Sequence, residues 1–378
     1  MKKLHFPLAA ALALSFGCHK SPGINDKDLR NFDVVNLVAN SPEYKPQNHV
    51  DPTLINGFGI AWSPTNIAWV NSVGGHVSEL YSLDGDMVRP PVNIPSRTDT
   101  VGGLPCGIVF SGGKGFKLGT GTALFIFSSF DGVLSAWNGG NNAKRLNYPK
   151  DATSYTGLAI GSSNGYNYIY GANFGEKKID VWDTDFHKVP GFPFKDYGIP
   201  STYSPYNIQA VGDKLFIVYG ELATSGPSKG HGIAGAGKGF VSVFNMDGSF
   251  VARFASRGTL NLPWGVTMAP ASFLEDQDVY GGEGGHGGYA VTKGANGGRN
   301  SNDPVILVGN FGDGHINVFT QDGRFLGQLQ SHQHPIEIEG LWNLSFPPAP
   351  PSSDAGRLYF SAGPENESDG VFGYIIKR

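Results

Sequence analysis

Gly57-Phe58-Gly59-Ile60, Pro105-Cys106-Gly107-Ile108, Tyr155-Thr156-Gly157-Leu158, Pro205-Tyr206-Asn207-Ile208, Pro263-Trp264-Gly265-Val266 and Leu341-Trp342-Asn343-Leu344 are six versions of one phrase. In each, a turn-like or apolar start leads into Gly or Asn and then into an apolar strand. The Gly or Asn positions are 48, 50, 50, 58 and 78 residues apart. Repeats of this length in a β-rich chain describe a ring of similar sheets rather than unrelated domains.

Working outward from the third copy, Leu158 to Ile160 opens a strand, Tyr168 to Ala172 is a second apolar run, Ile179 to Trp182 a third, and a fourth falls near Lys188-Val189. The other copies repeat this order. Asp84-Gly85, Asn138-Gly139, Asp247-Gly248 and Asp322-Gly323 follow the third runs, and such pairs favour tight hairpins because they tolerate positive φ. The expected fold is therefore all-β: a six-bladed β-propeller with four-stranded blades. The sixth repeat ends at Arg378, straight after its third strand, while the apolar run from Phe32 to Val38 belongs to no repeat. That run is expected to complete the last blade, so that the N-terminal strand closes the ring and no sheet edge stays open. The domain is then 33–378.

Composition agrees with many short strands and tight turns. Glycine supplies 55 of 378 residues, and charged residues are only 16% of the chain, below the usual share of about 25%. Net charge is −4, with no Lys/Arg cluster to track phosphates, so nucleic acid is excluded as a partner.

The N-terminus reads Lys2-Lys3, an apolar stretch from Leu8 to Phe16, and Gly17-Cys18. The stretch is too short to span a bilayer and has the order of a secretory signal. Cys18 after a small residue is similar to a lipobox, although Ser15 stands where Leu is favoured and Leu14 is one step back. Residues 1–18 are expected to be a signal peptide with lipidation at Cys18. Residues 19–32 would be a tether, and the protein would be exported and anchored by lipid in a bacterial cell envelope. Cys106 is left without a disulfide partner and is read as a small buried hydrophobe.

Two insertions break the repeat. Residues 221–239 lie between the second and third strands of blade four, on the face that carries the central mouth. Residues 271–303, with a Gly-rich run from 281 to 288, lie between the first and second strands of blade five, on the far face.

Several patterns could carry chemistry. Residues 232–239 nearly spell a phosphate-binding P-loop, but Gly239 stands where Ser or Thr is needed and a strand follows instead of a helix. His332-Gln333-His334 with Glu337 reads as a solvated turn, since no third metal ligand is apparent. The recurrent turns Ser129-Phe130-Asp131-Gly132, Asn173-Phe174-Gly175 and Asn310-Phe311-Gly312-Asp313-Gly314 are explained by turn chemistry, but they border the mouth. At the mouth itself the aligned ring is Phe58, Cys106, Thr156, Tyr206, Trp264 and Trp342. Tyr206, Trp264, Trp342, Asn207 and Asn343 are the candidate ligand-binding residues, and Glu339 is the candidate metal ligand, with calcium as the candidate ion. One carboxylate among aromatics suits a binding surface better than a calcium cup, which wants six to eight oxygens.

Pro263-Trp264-Gly265, Val308-Gly309-Asn310-Phe311-Gly312-Asp313-Gly314, Gly340-Leu341-Trp342 and the run from Ser361 to Gly370 together resemble a family of secreted bacterial NHL-like propeller proteins, many of which end in a PEP-CTERM tail. This chain lacks that tail, and the resemblance implies fold and export but no activity. More distantly the repeats are similar to those of NHL-containing lyases and gluconolactonase-type hydrolases. Their metal or His-based acid–base motifs are not matched residue by residue. The expected function is binding of a protein, peptide or glycan ligand at the mouth. The alternative is a metal-assisted hydrolase or lyase using Glu339, Asn207 and Asn343.

Overall fold

The computed structural model describes residues 24, 26–147, 153–274, 304–348, 350–351 and 354–378. Six antiparallel sheets stand in a ring, each a meander running from the axis outward, and the protein is a six-bladed β-propeller. The inner strands are Gly57–Trp62, Pro105–Phe110, Tyr155–Ser163, Tyr203–Val211, Pro263–Ala269 and Leu341–Ser345. Each touches the inner strands on either side, and the sixth returns to the first.

Blades one, two, four and five are four-stranded. Blade three has three strands, its outer edge reduced to a bridge between Trp182 and Lys188. Pro190, Pro193 and Pro200 crowd the segment after that bridge, and proline cannot donate to a ladder. Blade six closes as its missing fourth strand implied: Phe32–Ala39 pairs antiparallel with Val371–Lys377 from Phe32↔Lys377 to Ala39↔Val371. His49–Val50 then adds a short fifth strand in parallel.

Neighbouring blades are held by aromatic packing between their faces. Trp69 of blade one stacks on Phe125 of blade two with ring centres 4.0 Å apart. Across the closure, Trp62 meets Tyr359 edge-on at 4.9 Å and its indole N–H donates to Ser345 Oγ at 2.9 Å. Burying such rings contributes about 2–3 kcal/mol each.

Part of the expected tether is built into the domain. Asp26–Leu29 forms a 3-10 turn whose Leu29 is fully buried in the core of blades five and six. Lys377, itself buried, donates to the carbonyls of Asp28 (2.7 Å) and Arg30 (2.9 Å). Residues 1–18, including Cys18, and most of 271–303 lie outside the described residues. Among the described residues no helix is long and apolar enough to cross a membrane.

The repeated phrase has a specific structural meaning. Every inner strand slips its register against the second strand at the same place. In blades two, three, four and six the pairing skips Cys106, Thr156, Tyr206 and Trp342. In blades one and five, Phe58-Gly59 and Trp264-Gly265 stand opposite single residues. These are six β-bulges, and a bulge re-aims the side chain it frees. All six freed residues are buried, and five of them, Phe58, Cys106, Tyr206, Trp264 and Trp342, fall into one core cluster although they come from five blades.

The Gly that follows four of the bulges is explained by crowding between inner strands. A Cβ on Gly59 would lie 2.2 Å from the carbonyl oxygen of Cys106, and one on Gly157 would lie 2.0 Å from Asn207 Oδ1. No side chain fits there.

Candidate binding site at the central mouth

The freed side chains plug the axis. Phe58 stacks on Trp342 with ring centres 3.8 Å apart and meets Trp264 edge-on at 5.1 Å; Tyr206 lies 6.0 Å from Trp342. Both indole N–H groups are satisfied inside the ring, Trp264 Nε1 donating to Thr156 O at 3.0 Å and Trp342 Nε1 to Asn56 Oδ1 at 2.7 Å. Cys106 Sγ lies 3.0 Å from the carbonyl oxygen of Tyr155, and burial pushes its thiol well above the usual range.

Above this plug lies a cavity of about 370 Å³. Tyr206, Trp342 and Thr156 form its floor, and the second-to-third turns form its wall. Blade two contributes Phe130, blade three Phe174 and blade six Glu367, while the insertion 221–239 of blade four brings His231 over the rim. A short hairpin ladder holds that insertion: Gly230 N donates to Ala223 O (2.8 Å), and Ala223 N to His231 O (3.0 Å). Lys238, from the P-loop look-alike, is paired with Glu221 at 2.9 Å and does not line the cavity.

Glu367 is delivered by an unusual turn. Glu365, Asn366 and Glu367 have φ of 53°, 54° and 69°, three consecutive non-glycine residues in the left-handed region. Each such residue costs on the order of 1–2 kcal/mol, and strain of this kind persists where surrounding structure imposes it. Here the brace is visible. Glu365 N donates to Glu339 Oε1 at 3.0 Å, Asp369 N to Pro364 O at 3.2 Å, and Asp369 accepts from Asn40 Nδ2 and Tyr44 Oη at 2.8 and 2.7 Å. The Glu367 carboxylate accepts from Asn56 Nδ2 at 2.8 Å. Because Asn56 Oδ1 is taken by the Trp342 indole, the amide must present its NH₂ to Glu367, and the chain Trp342–Asn56–Glu367 has one orientation. Burial raises the pKa of Glu367, opposed by the Asn56 hydrogen bond and the nearby His231. It also pushes the Tyr206 phenol well above its normal range, helped by the charge of Glu367.

The sequence-derived candidates divide accordingly. Tyr206 and Trp342 line the cavity; Trp264, Asn207 and Asn343 do not. Trp264 is 2% exposed and sits below the floor. Asn207 is a brace between blades, its Nδ2 donating to Trp264 O at 2.9 Å and its Oδ1 accepting from Ile208 N at 2.8 Å. Asn343 is buried with Oδ1 unpartnered, away from the cavity. Glu339 is exposed, and its carboxylate caps the left-handed turn from outside. It is therefore a support for Glu367 rather than the centre of a donor set with Asn207 and Asn343. Among the described residues no group of three or more His, Cys, Asp or Glu is placed to hold a metal ion. His332 and His334 lie in an exposed two-stranded turn.

Glu367, His231, Phe130 and Phe174 are the site residues that motif reasoning passed over. Phe130 and Phe174 sit in turns already read as bordering the mouth. The signal for Glu367 was the run Pro364-Glu365-Asn366-Glu367, a tight turn with no glycine at its centre.

The class that the fold defines is the six-bladed β-propeller, here with a plugged axis and a cavity over its mouth. In sequence the chain is 32% identical to the uncharacterized protein L690 of Acanthamoeba polyphaga mimivirus over 96% of its own length and 92% of that protein's. It is 30% identical to the uncharacterized protein R648 of the same virus, over 87% of this chain and 76% of that one. The chain belongs to the family of these mimivirus proteins. The resemblance to a secreted bacterial NHL-like family is thereby corrected, because the relatives matched over nearly the whole chain are viral; no family model matches. Among solved structures, a streptogramin B lyase is similar at 11% identity over 91% of this chain and 97% of that one, with a TM-score of 0.49. The WD40 β-propeller domain of Doa1 is similar at 11% identity over 83% and 77%, with a TM-score of 0.45.

Proposed function

We propose that the protein is a binding propeller that takes a small ligand, or a side chain or sugar of a larger one, into the mouth cavity. The observation that carries this reading is the cavity itself: about 370 Å³, aromatic on several sides, with one half-buried carboxylate fixed on a strained, externally braced turn. Concave, mostly apolar sites with few convergent polar groups are the usual form of ligand pockets. Protein, peptide or glycan ligands can present a group of that size. The metal-assisted hydrolase or lyase reading lacks comparable support, since Glu339, Asn207 and Asn343 each have a bracing or buried position of their own.

The test is capture of peptide and glycan arrays by the purified protein, repeated with Phe130→Ala. Phe130 lies on a turn and is only partly buried, so its loss should spare the fold while removing one wall. Weakening of the captured ligand by about 2 kcal/mol, as aromatic anchors commonly give, is the expected result. Unchanged capture, with an unchanged melting curve, would overturn the mouth as the site.

Export and anchoring are a separate proposal supported by the order Lys2-Lys3, Leu8 to Phe16, Gly17-Cys18 alone. Acyl chains hold proteins to membranes at about 0.8 kcal/mol per buried CH₂. Cys18→Ser should shift the expressed protein from the membrane to the soluble fraction and change its mass by the lost lipid, and an unchanged fraction and mass would refute the anchor.

A further inference from the structure

The geometry points to an alkylammonium group as the species held in the mouth cavity, seated against Tyr206, Phe174 and Phe130 and paired with the carboxylate of Glu367. This deepens the mouth-binding reading and rests on it.

Four of the residues lining the cavity are aromatic. Phe174 and Tyr206 have ring centres 4.7 Å apart and Tyr206 and Trp342 6.0 Å apart, so the three form a continuous aromatic surface. Trp342 has already given its only donor to Asn56 and both its faces to Phe58 (3.8 Å) and Phe311 (4.0 Å), so it offers the cavity only an edge, and the cation rests on the other three rings. A cation over such faces gains about 0.5–2 kcal/mol per favourable contact, more when desolvated.

The wall carries one acid, Glu367, and one weak base, His231. No Lys or Arg lines the cavity, and Glu367 is its one carboxylate. A phosphate or carboxylate ligand would meet Glu367 with only the His231 imidazole to offset its charge. A sugar would need many hydrogen bonds, and besides Glu367 and His231 the wall offers the hydroxyls of Ser154, Thr156 and Tyr206. A compact cation needs one counter-charge and apolar or aromatic contact elsewhere, and that is the composition present.

Glu367 is also arranged as a counter-ion. Asn56 holds one carboxylate oxygen, and no Lys or Arg among the described residues forms an ion pair with it. The protein strains three consecutive residues to hold this acid half-buried over the cavity, a cost that a merely structural turn with glycine would avoid. Its raised pKa marks a carboxylate that burial has deprived of solvation, and an incoming ammonium would restore a charge partner.

The probes are choline, its uncharged isostere 3,3-dimethyl-1-butanol, and a short peptide carrying trimethyl-lysine, each titrated into the full chain by calorimetry with tryptophan fluorescence alongside. Choline or the peptide is expected to bind at least tenfold tighter than the isostere. Glu367→Gln, which keeps the Asn56 contact, is expected to bring that ratio close to one. Tyr206→Leu should weaken the cation while leaving the isostere unaffected. Tighter binding of the peptide than of choline would assign the group to a lysine side chain, and the reverse to a free amine. Equal affinity for choline and its isostere, or an unchanged ratio in folded Glu367→Gln, would overturn the cation assignment and leave the mouth reading standing. If neither cation binds, the assignment also falls, and the mouth reading is then judged on the Phe130→Ala array result alone.

Discussion

At the scale of single residues, the sharpest energetic feature lies away from the mouth. Asp51 and Glu79, both buried, share the hydroxyl of Thr53, whose oxygen is 2.6 Å from Asp51 Oδ1 and 2.7 Å from Glu79 Oε1. A hydroxyl has one proton to give, so one of the two acids must supply a second. Asp51 also receives Thr53 N and Tyr81 Oη at 3.0 and 2.8 Å, whereas Glu79 Oε2 has no partner, so the proton belongs on Glu79. Burial, with the nearby Asp51, raises the pKa of Glu79 to about 7. The folded protein therefore keeps a proton that the unfolded chain releases above its ordinary value of 4.5, and stability must fall as pH rises between those two points. The loss is on the order of 3 kcal/mol, taking 1.36 kcal/mol per unit. Glu79→Gln, a permanently neutral stand-in, should flatten that decline in urea melts at pH 5 and pH 8. An undiminished decline in the variant would show that the proton resides elsewhere.

At the scale of elements, the repeat was legible because a bulge leaves a mark on sequence. At four of the six the next residue lies too close to the neighbouring inner strand to carry a side chain, and Gly59, Gly107, Gly157 and Gly265 declare it, while Asn207 and Asn343 stand at the other two. The closing strand was legible as an apolar run without a repeat. Two features were not. The outer edge of blade three looks like a strand in composition but is broken by its prolines, and whether a segment pairs depends on what lies opposite it. The 3-10 turn Asp26–Leu29 contains one apolar residue, Leu29, and nothing in its pattern reveals that the residue packs under blades five and six. That turn sets the truncation limits. Removing residues 1–23, which spares Ile24 on the same core, should leave the melting temperature unchanged. Removing 1–30 strips Leu29 and the carbonyls that satisfy buried Lys377, and should lower it by several degrees. Removing 1–38 opens blade six to its third strand and should abolish cooperative melting. Equal melting temperatures for the first two truncations would show that the turn contributes nothing.

At the scale of the whole molecule, the ring brings together residues that no local pattern could connect. Trp342, Asn56 and Glu367 form one hydrogen-bonded chain across 311 positions of sequence. Position in the repeat therefore pointed to Tyr206 and Trp342 at the floor of the cavity, whereas Trp264, Asn207 and Asn343, from the same repeat, lie in the packing of the ring and do not line it. The same closure has a consequence for how the protein is made. Within the propeller the strand Phe32–Ala39 is synthesised before all the others, yet its partner Val371–Lys377 comes after all of them. Through nearly the whole of translation that first strand must wait with its ladder groups unsatisfied while five blades assemble behind it. Domains of this kind are exposed to mispairing for as long as an edge stays open. Newly made chains should therefore depend on holding factors until release, and stalling the ribosome a few residues short of Val371 should leave a product that proteases cut near residue 39.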